Sequence, residues 1–375
     1  MIFHKNKTEY YSLNRINKTN SLYNLIIGQR SNGKTYACLK QSLDEYVKTG
    51  KLTVYIRRYA ESLTPKNIKD LFNPFTTKFG NAYIEKITNG EFNHVFYRSN
   101  TFYLAYYDSE KDDYTKKADF GFCYTSAINT WENCKGADKG IFKYIIFDEF
   151  MTRETYLQNE FIAFLNIVSS YIRDRDGTII YMLGNTVSKY CPYFTEFGIK
   201  NIDKMKKGEI QIIKYDESGL QLAVEYCDAV SATKKVSKYF AFNNPRLQMI
   251  TGGEWEIPHY PHCYVTINND NLLQRLYIKF DDNILAVDIA SDGKGIFANV
   301  HLQTHKIKDE SKQIIYCKDV DTNMLHCHTL RDKPTKVHEL FVKLILQNKI
   351  FFASNDVGEI FQNFVIAFTS NNKNR

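Results

Sequence analysis

Asn24-Leu25-Ile26-Ile27-Gly28-Gln29-Arg30-Ser31-Asn32-Gly33-Lys34-Thr35 is the stretch on which the reading of this chain turns. Its apolar run, Leu25 to Ile27, leads directly into G-x-x-x-x-G-K-[ST], and Tyr36 to Val47 then reads as an amphipathic helix. A buried strand, a glycine-bounded loop and a helix in that order make a phosphate-binding P-loop. Gly28 and Gly33 permit backbone angles and close approaches that a Cβ would block. The amides of Gly28, Gln29, Arg30, Ser31, Asn32 and Gly33 are expected to point inward around the β- and γ-phosphates, at the N-terminus of the following helix. Lys34 supplies a point charge to those phosphates, and the Thr35 hydroxyl is placed to ligate Mg²⁺. A strand-to-helix turn with a surface lysine shares the bare pattern, but the flanking strand and helix favour the P-loop.

A second stretch completes the first. Tyr144-Ile145-Ile146-Phe147-Asp148-Glu149 sets four bulky residues before two acids. A continuous apolar run is what a parallel strand buried on both faces requires. Asp148 at its end is expected to hold the Mg²⁺ shell beside Thr35, and Glu149 to orient and deprotonate the attacking water. The expected ligands are therefore ATP and Mg²⁺. No [NT]-K-x-D guanine motif occurs, and a water-activating Glu149 argues against a small-molecule kinase.

Outward from these motifs, Leu52 to Ile56 reads as a strand ending in Arg57-Arg58, a pair that suits phosphate or DNA contact and equally a solvated surface. Residues 61–80 look helical, broken at Pro65 and Pro74, and 82–125 read as inserted β-hairpins with turns at Asn89-Gly90 and 108–117. Glu154 to Arg173 repeats apolar residues at three- and four-residue steps and reads as one helix. Thr178 to Leu183 is the next buried strand. Asn185 follows it, where a polar side chain can sense the γ-phosphate. Residues 1–20 are expected to form a short arm or helix packed near the nucleotide base.

The 375 residues allow two or three domains, and a net charge of +7 is compatible with a polyanionic partner without marking a dedicated nucleic-acid binder. Eight cysteines form no C-x-x-C pair and read as free thiols of a reducing compartment. No apolar run reaches the roughly 18 residues that span a bilayer, so a soluble intracellular protein with no membrane partner is expected. Composition shifts near residue 229. The expected division is 1–228, a linker at 229–255, and a β-rich α+β domain at 256–375. Its short runs include Val265-Thr266-Ile267, Leu276 to Phe280, Ile284 to Ile289 and Gly295 to Val300, followed by helices at 336–348 and 357–368.

The P-loop, Tyr-Ile-Arg-Arg-Tyr (55–59), Ile-Ile-Phe-Asp-Glu-Phe (145–150), Phe-Leu-Asn-Ile-Val (164–168), Ile-Arg-Asp-Arg (172–175), Leu-Gly-Asn-Thr-Val-Ser (183–188) and Cys-Pro-Tyr-Phe (191–194) occur in that order. Over roughly residues 20–200 this set resembles the DNA-packaging ATPases of phi29-like tailed phages, small relatives of the terminase large subunit in the additional-strand (ASCE) P-loop class. The resemblance implies an α/β fold: an ASCE ATPase domain with a mainly parallel sheet, then a smaller α+β RNase H-like domain, a vestigial nuclease that binds nucleic acid. It implies a ring, a homopentamer, docked on the portal of a procapsid and driving double-stranded DNA inward by ATP hydrolysis. Such a protein would work in the host cytoplasm, transiently at the portal vertex, and be absent from the mature virion. A structural packaging RNA, which some relatives use, is left open.

Carried over by the resemblance, Lys34 and Thr35 hold phosphate and Mg²⁺, Asp148 the Mg²⁺ shell, and Glu149 is the base. Arg173 matches the arginine finger that reaches a neighbour's γ-phosphate, Lys135 a basic interface residue, Arg30 a P-loop arginine, and Asn185 the motif coupling hydrolysis to movement. Arg57, Arg58, Lys135 and the 234–238 lysines are candidates for the interface or the DNA. Asp281, Asp282, Asp288 and Asp292 are close in sequence and Asp288 looks like a first nuclease aspartate, yet downstream Asp309, Asp319, Asp321, Asp332 and Asp356 carry no motif to partner it, so cleavage is not expected. His326-Cys327-His328 with Cys317 is not expected to bind zinc, because alternate strand residues face opposite ways. Two alternatives stand beside the motor: a terminase-like ATPase-nuclease, and a P-loop nucleotide-binding assembly protein that does not hydrolyse ATP.

Overall fold

The computed structural model describes residues 10–134, 140–152, 156–157, 159–173, 175–186, 191–227, 259–280, 283–317, 327–328 and 335–370. The chain divides into two compact units, one of residues 1–153 and 159–256, the other of 154–158 and 257–375. The expected 229–255 linker, the 234–238 lysines and Lys135 lie outside the described residues.

The first unit is built on a ten-stranded sheet. Its centre runs in the order β6 (Cys123–Ala127), β2 (Leu52–Arg57), β7 (Phe142–Asp148), β8 (Ile179–Asn185), β1 (Tyr23–Gly28) and β10 (Leu220–Tyr226), all parallel. Every residue of β1 is buried and only Lys143 of β7 is not, as strands covered on both faces require. Antiparallel strands finish the margins: β3 (His94–Arg98), β4 (Thr101–Asp108) and β5 (Asp113–Lys117) beyond β6, and β9 (Ile210–Tyr215) beyond β10. β8 lies between the P-loop strand β1 and the acid-ended strand β7. This is the inserted strand that defines the ASCE class.

The helix after the P-loop spans Lys34–Thr49 and packs on β7, β2 and β8. Gly50 ends it in the left-handed region (φ 72°), its N–H returning to Tyr46 O at 2.8 Å. Residues 61–80 are helical and broken as expected, in four short segments: the α-helical turn Pro65–Ile68 and the 3₁₀ turns Ala60–Leu63, Asn73–Phe75 and Thr77–Phe79. Pro65 and Pro74 each open a turn, where a missing N–H costs least. The turns drop Phe72 and Phe75 into the core, where Phe72 meets Phe102 and Phe122 edge-on at 4.9 and 5.0 Å. The start of the expected hairpin region is a helix, Tyr83–Ile87, and Asn89-Gly90 closes it. The helix expected from Glu154 instead begins at Glu160 and runs to Ile172, because Asn159 is left-handed (φ 53°) and a helix cannot propagate back through it.

The second unit holds a six-stranded sheet, β15 (Cys327–His328), β14 (Ile315–Cys317), β11 (Leu272–Phe280), β12 (Asn283–Ser291), β13 (Ile296–Leu302) and β16 (Ile350–Phe352). β11, β12 and β13 form an antiparallel meander, and β14 and β15 add parallel to β11. Counted from β11 the order is 5-4-1-2-3, the RNase H-like arrangement, with β16 as an extra edge strand. Here the connection between the third and fourth strands is a loop with one 3₁₀ turn, Glu310–Lys312. Two helices follow, Lys336–Leu346 and Asn355–Ser370. Val265 to Ile267 is irregular chain rather than a strand; a residue triplet alone offers no ladder partner.

Asp288 does not stand as a metal-ready aspartate. Arg275 across the ladder donates to both its oxygens, at 2.5 and 2.8 Å, and His301 Nε2 lies 3.2 Å from Oδ2. The three side chains share one sheet face because Arg275 and Asp288 are paired and β-strand neighbours alternate. Among the described residues no group of three His, Cys, Asp or Glu is placed to hold a metal ion. Six cysteines are free thiols, but Cys317 is disulfide-bonded, so the expectation of free thiols throughout fails. Cys317 ends β14 beside a second strand, and neighbouring strands about 5 Å apart are close enough for such a bond. It therefore has no thiolate to give a metal; His326 and the Cys327 side chain lie outside the described residues.

Burial pushes the Asp288 carboxyl up, but the hydrogen bonds and charges of His301 and Arg275 outweigh it and hold it down at about 2. The hydrogen bond to Asp288 raises His301 despite its burial. The Asp288 contribution is thus present above its unfolded value of about 3.9 and lost as pH falls towards 2. That of His301 is full below about 6.5 and lost as pH rises through its raised value. The protection of β11–β13 amides against hydrogen exchange, corrected for intrinsic rates, should therefore differ most between the natural chain and Asp288→Asn near pH 5, and the difference should shrink at pH 2 and pH 9.

Candidate active site

The P-loop turns on two residues with positive φ, Ser31 (59°) and Gly33 (92°). This curl brings Lys34 back over the loop, where it is buried. Its ammonium donates to Gln29 O at 2.7 Å, Asn32 Oδ1 at 3.2 Å, Gly28 O at 3.3 Å and Asn185 Oδ1 at 3.4 Å. All are neutral oxygens, so a buried cation is cradled without a contacting anion. Burial lowers its pKa to about 8, with the charges of Cys227 and Asp148 pulling the other way. Such a site fits a phosphate, whose charge supplies what the cradle lacks. Gln29 and Asn32 are buried in the loop wall, while Arg30 and Ser31 are exposed on it.

The N-terminal arm lies across this loop. The Tyr11 N–H donates to Asn32 O at 2.8 Å, and the Tyr11 hydroxyl to Glu225 Oε2 at 2.5 Å. Arg15 donates to Gly208 O at 2.6 Å and stands 3.7 Å from Glu225. Tyr10 is 55% exposed, with its ring 6.4 Å from Tyr36, which itself stacks on Phe75 at 4.5 Å. Local sequence carried no signal for this strap, because its anchors are more than twenty residues away along the chain.

The acidic half of the site comes from strand pairing. β2 and β7 run parallel with Tyr55 opposite Ile146 and Ile56 opposite Phe147, which brings the end of β2 beside Asp148. Tyr55 and Arg57, two residues apart, face the same way. The Tyr55 hydroxyl donates to Asp148 Oδ2 at 2.7 Å, Thr35 Oγ1 to the same oxygen at 3.1 Å, and Arg57 NH1 reaches it at 3.4 Å. Arg57 NH2 also holds Glu149 Oε2 at 2.6 Å. The Thr35 hydroxyl and Asp148 carboxylate thus converge as a hard-oxygen pair of the kind that suits Mg²⁺. Glu149 is exposed and left-handed (φ 59°), a strained angle for a residue with a side chain.

Arg57 therefore faces the two carboxylates rather than an outer surface. Arg58, one step further, points the other way and is buried, 8% exposed, on Glu160. A candidate for phosphate or DNA contact or for a solvated surface, it is by its burial no solvated surface residue. Asn185 ends β8 opposite Gly28, which explains its reach to Lys34. Arg173 caps the Glu160–Ile172 helix in the left-handed region (φ 44°), exposed, with Nε donating to Ser170 O at 3.2 Å. Tyr55 and Tyr193 lie in stretches quoted above (55–59 and 191–194) but without a role assigned to them, and Glu160 lies in none. The Y-x-R spacing ahead of the second arginine is the one signal that could have flagged Tyr55.

Gly184 precedes Asn185 for a steric reason: a Cβ there would lie 2.7 Å from Met151 Sδ and 2.8 Å from Phe150 Cε1. Gly184→Ala should lower stability by about 1–3 kcal/mol, read from the urea unfolding midpoint. The lowered Lys34 gives a second expectation. Bound phosphate favours the ammonium, so nucleotide affinity should be flat below about pH 8 and fall above it, approaching tenfold per pH unit. A titration with a fluorescent ATP analogue from pH 7 to 10 measures this, and Lys34→Arg, always charged, should flatten the profile.

Two "DNA packaging protein" sequences from Bacillus phages resemble the chain. That of phage B103 is 28% identical over 188 residues, 48% of either chain. That of phage phi29 is 25% identical over 196 residues, 52% of this chain and 51% of the relative. The chain thus spans about half the length of the curated relatives it matches. The fold is that of two solved structures. "The bacteriophage Phi-29 viral genome packaging motor assembly" aligns with a TM-score of 0.56 at 17% identity, over 96% of this chain and 100% of the other. "The Phi-28 gp11 DNA packaging Motor" aligns with 0.55 at 18% identity, over 96% and 98%. Residues 5–237, well over half of the sequence, match the family described as Podovirus DNA encapsidation protein (Gp16), and the chain belongs to that family.

Proposed function

We propose that this chain is an ATP-hydrolysing motor subunit that moves double-stranded DNA into a preformed procapsid, as one member of a homo-oligomeric ring, a pentamer, docked on the portal. The observation that carries the reading is the convergence of Lys34, Thr35, Asp148 and Asn185 from three separate elements at one end of a parallel sheet, in a chain of the encapsidation family. It works in the host cytoplasm and at the portal vertex, and leaves before the virion matures.

Lys34 binds the phosphates of ATP and orients the γ-phosphoryl group. Thr35 and Asp148 would hold Mg²⁺, which when bound spreads the charge developing on the phosphates. Glu149 accepts a proton from the attacking water. Arg57 occupies Oε2 and so orients the carboxylate, with Oε1 the oxygen left to take the proton. Asn185, already on Lys34, reports at β8 whether the phosphate is present. Arg173 is supplied to the neighbouring subunit as a finger, so that hydrolysis waits on the neighbour. Its exposed place at a helix end supports this reading. A basic surface contacting phosphates makes DNA binding weaken steeply with salt and depend little on sequence. The second unit binds nucleic acid without cleaving it, a reading supported by the engagement of Asp288 with Arg275 and His301.

The test is the ATPase rate per subunit against protein concentration, with and without double-stranded DNA. The rate should climb with both. Lys34→Ala should abolish turnover in a folded protein, and Arg173→Ala should still bind ATP but lose on the order of 10³-fold or more in kcat. A rate that is flat with concentration, ignores DNA and survives the loss of Arg173 would mean a self-contained nucleotide enzyme.

A further inference from the structure

Arg58 is a buried cation that the chemistry above does not use, and its contacts tie together parts of the site that act separately. Nε donates to both oxygens of Glu160, at 2.9 and 3.1 Å; NH1 donates to Glu149 O at 3.2 Å and NH2 to Phe150 O at 2.6 Å. Tyr193, fully buried, donates its hydroxyl to Glu160 Oε1 at 3.0 Å. Burial and the charge of Glu160 push the Tyr193 phenol well up, so it stays a donor. Phe150 N–H adds a bond to Leu183 O of β8 at 3.2 Å. The strained backbone at Glu149 is thus held from both sides. Glu160, in turn, is the first residue of the helix that ends at Arg173.

We infer that Arg58, Glu160 and Tyr193 are positioning residues that join the backbone of the general base to the root of the finger helix, so that movement at Glu149 in one site re-aims the Arg173 offered to the next. The helix is a lever about 20 Å long, so a small tilt at Glu160 becomes a displacement of several ångströms at its far end. A cation hydrogen-bonded to a carboxylate and two carbonyls at once cannot follow one without disturbing the others. The bond set therefore transmits position as well as stability.

This inference rests on the proposal that Arg173 acts in trans, and mixed rings separate the two. Glu149→Gln subunits cannot hydrolyse but keep their finger; Arg173→Ala subunits keep their base but lack the finger. Mixing them should restore ATPase activity to the Arg173→Ala sites. If it does not, the trans finger falls and this inference with it. Adding Arg58→Leu and Glu160→Leu together to the Glu149→Gln donor removes both buried charges at once. That donor should fold and assemble, yet rescue at least tenfold less well, with the KM of the rescued sites for ATP unchanged. Rescue equal to that of Glu149→Gln alone overturns the inference. Should the double leucine variant not fold, Tyr193→Phe in the same donor decides the matter: a severalfold loss of rescue supports the linkage, and full rescue refutes it.

Discussion

Asp148 Oδ2 is the atom on which the first unit converges. It accepts from the Thr35 hydroxyl at the start of the P-loop helix and from the Tyr55 hydroxyl of β2, and lies beside the Arg57 guanidinium at the end of that strand. These donors reach it only because β2 pairs with β7 in one register; a one-residue slip would turn Tyr55 and Arg57 to the other face. The parallel sheet is therefore more than a platform. Its register sets which side chains surround the carboxylate, and the buried faces of β1, β7 and β8 hold that register in place.

Buried charge follows a consistent pattern around this point. Lys34 sits among neutral oxygens, with its pKa lowered by burial and its compensation awaiting an anion. Arg58 instead is fully answered by Glu160 and two carbonyls. A buried ion pair adds little net stability relative to apolar packing, but breaking one side of it is costly. Such a pair makes a stiff joint. The uncompensated cation suits an anionic ligand and the compensated one suits a stiff joint, so the surroundings rather than the residue types set the two apart.

The second unit applies the same rule to a second sheet. Its strand order is RNase H-like, yet Asp288, which stands at a strand position that looks catalytic in sequence, spends both oxygens on Arg275 and His301. A carboxylate held on both oxygens by Arg275 and His301 is poorly placed to bind a metal as well.

The amino-acid sequence alone determined the P-loop, the acid-ended strand β7, the placement of Asn185 after a buried strand and the P-loop fold class, since each depends on backbone chemistry within a dozen residues. Glycine before lysine, apolar run before acids, and helix period before Arg173 are local statements, and local physics decides them. The tertiary structure alone decided the rest. Arg57 and Arg58 look alike in the chain, but strand alternation sends one to the carboxylates and buries the other on a residue 102 positions away. Helix starts moved where one left-handed residue, Asn159, interrupts a good apolar period. The strap of Tyr10 and Tyr11, the pairing of Asp288 and the disulfide at Cys317 likewise depend on partners distant in sequence or on an adjoining strand. What a side chain touches across a fold is set by pairing register and burial, and neither is written in the spacing of the residues themselves.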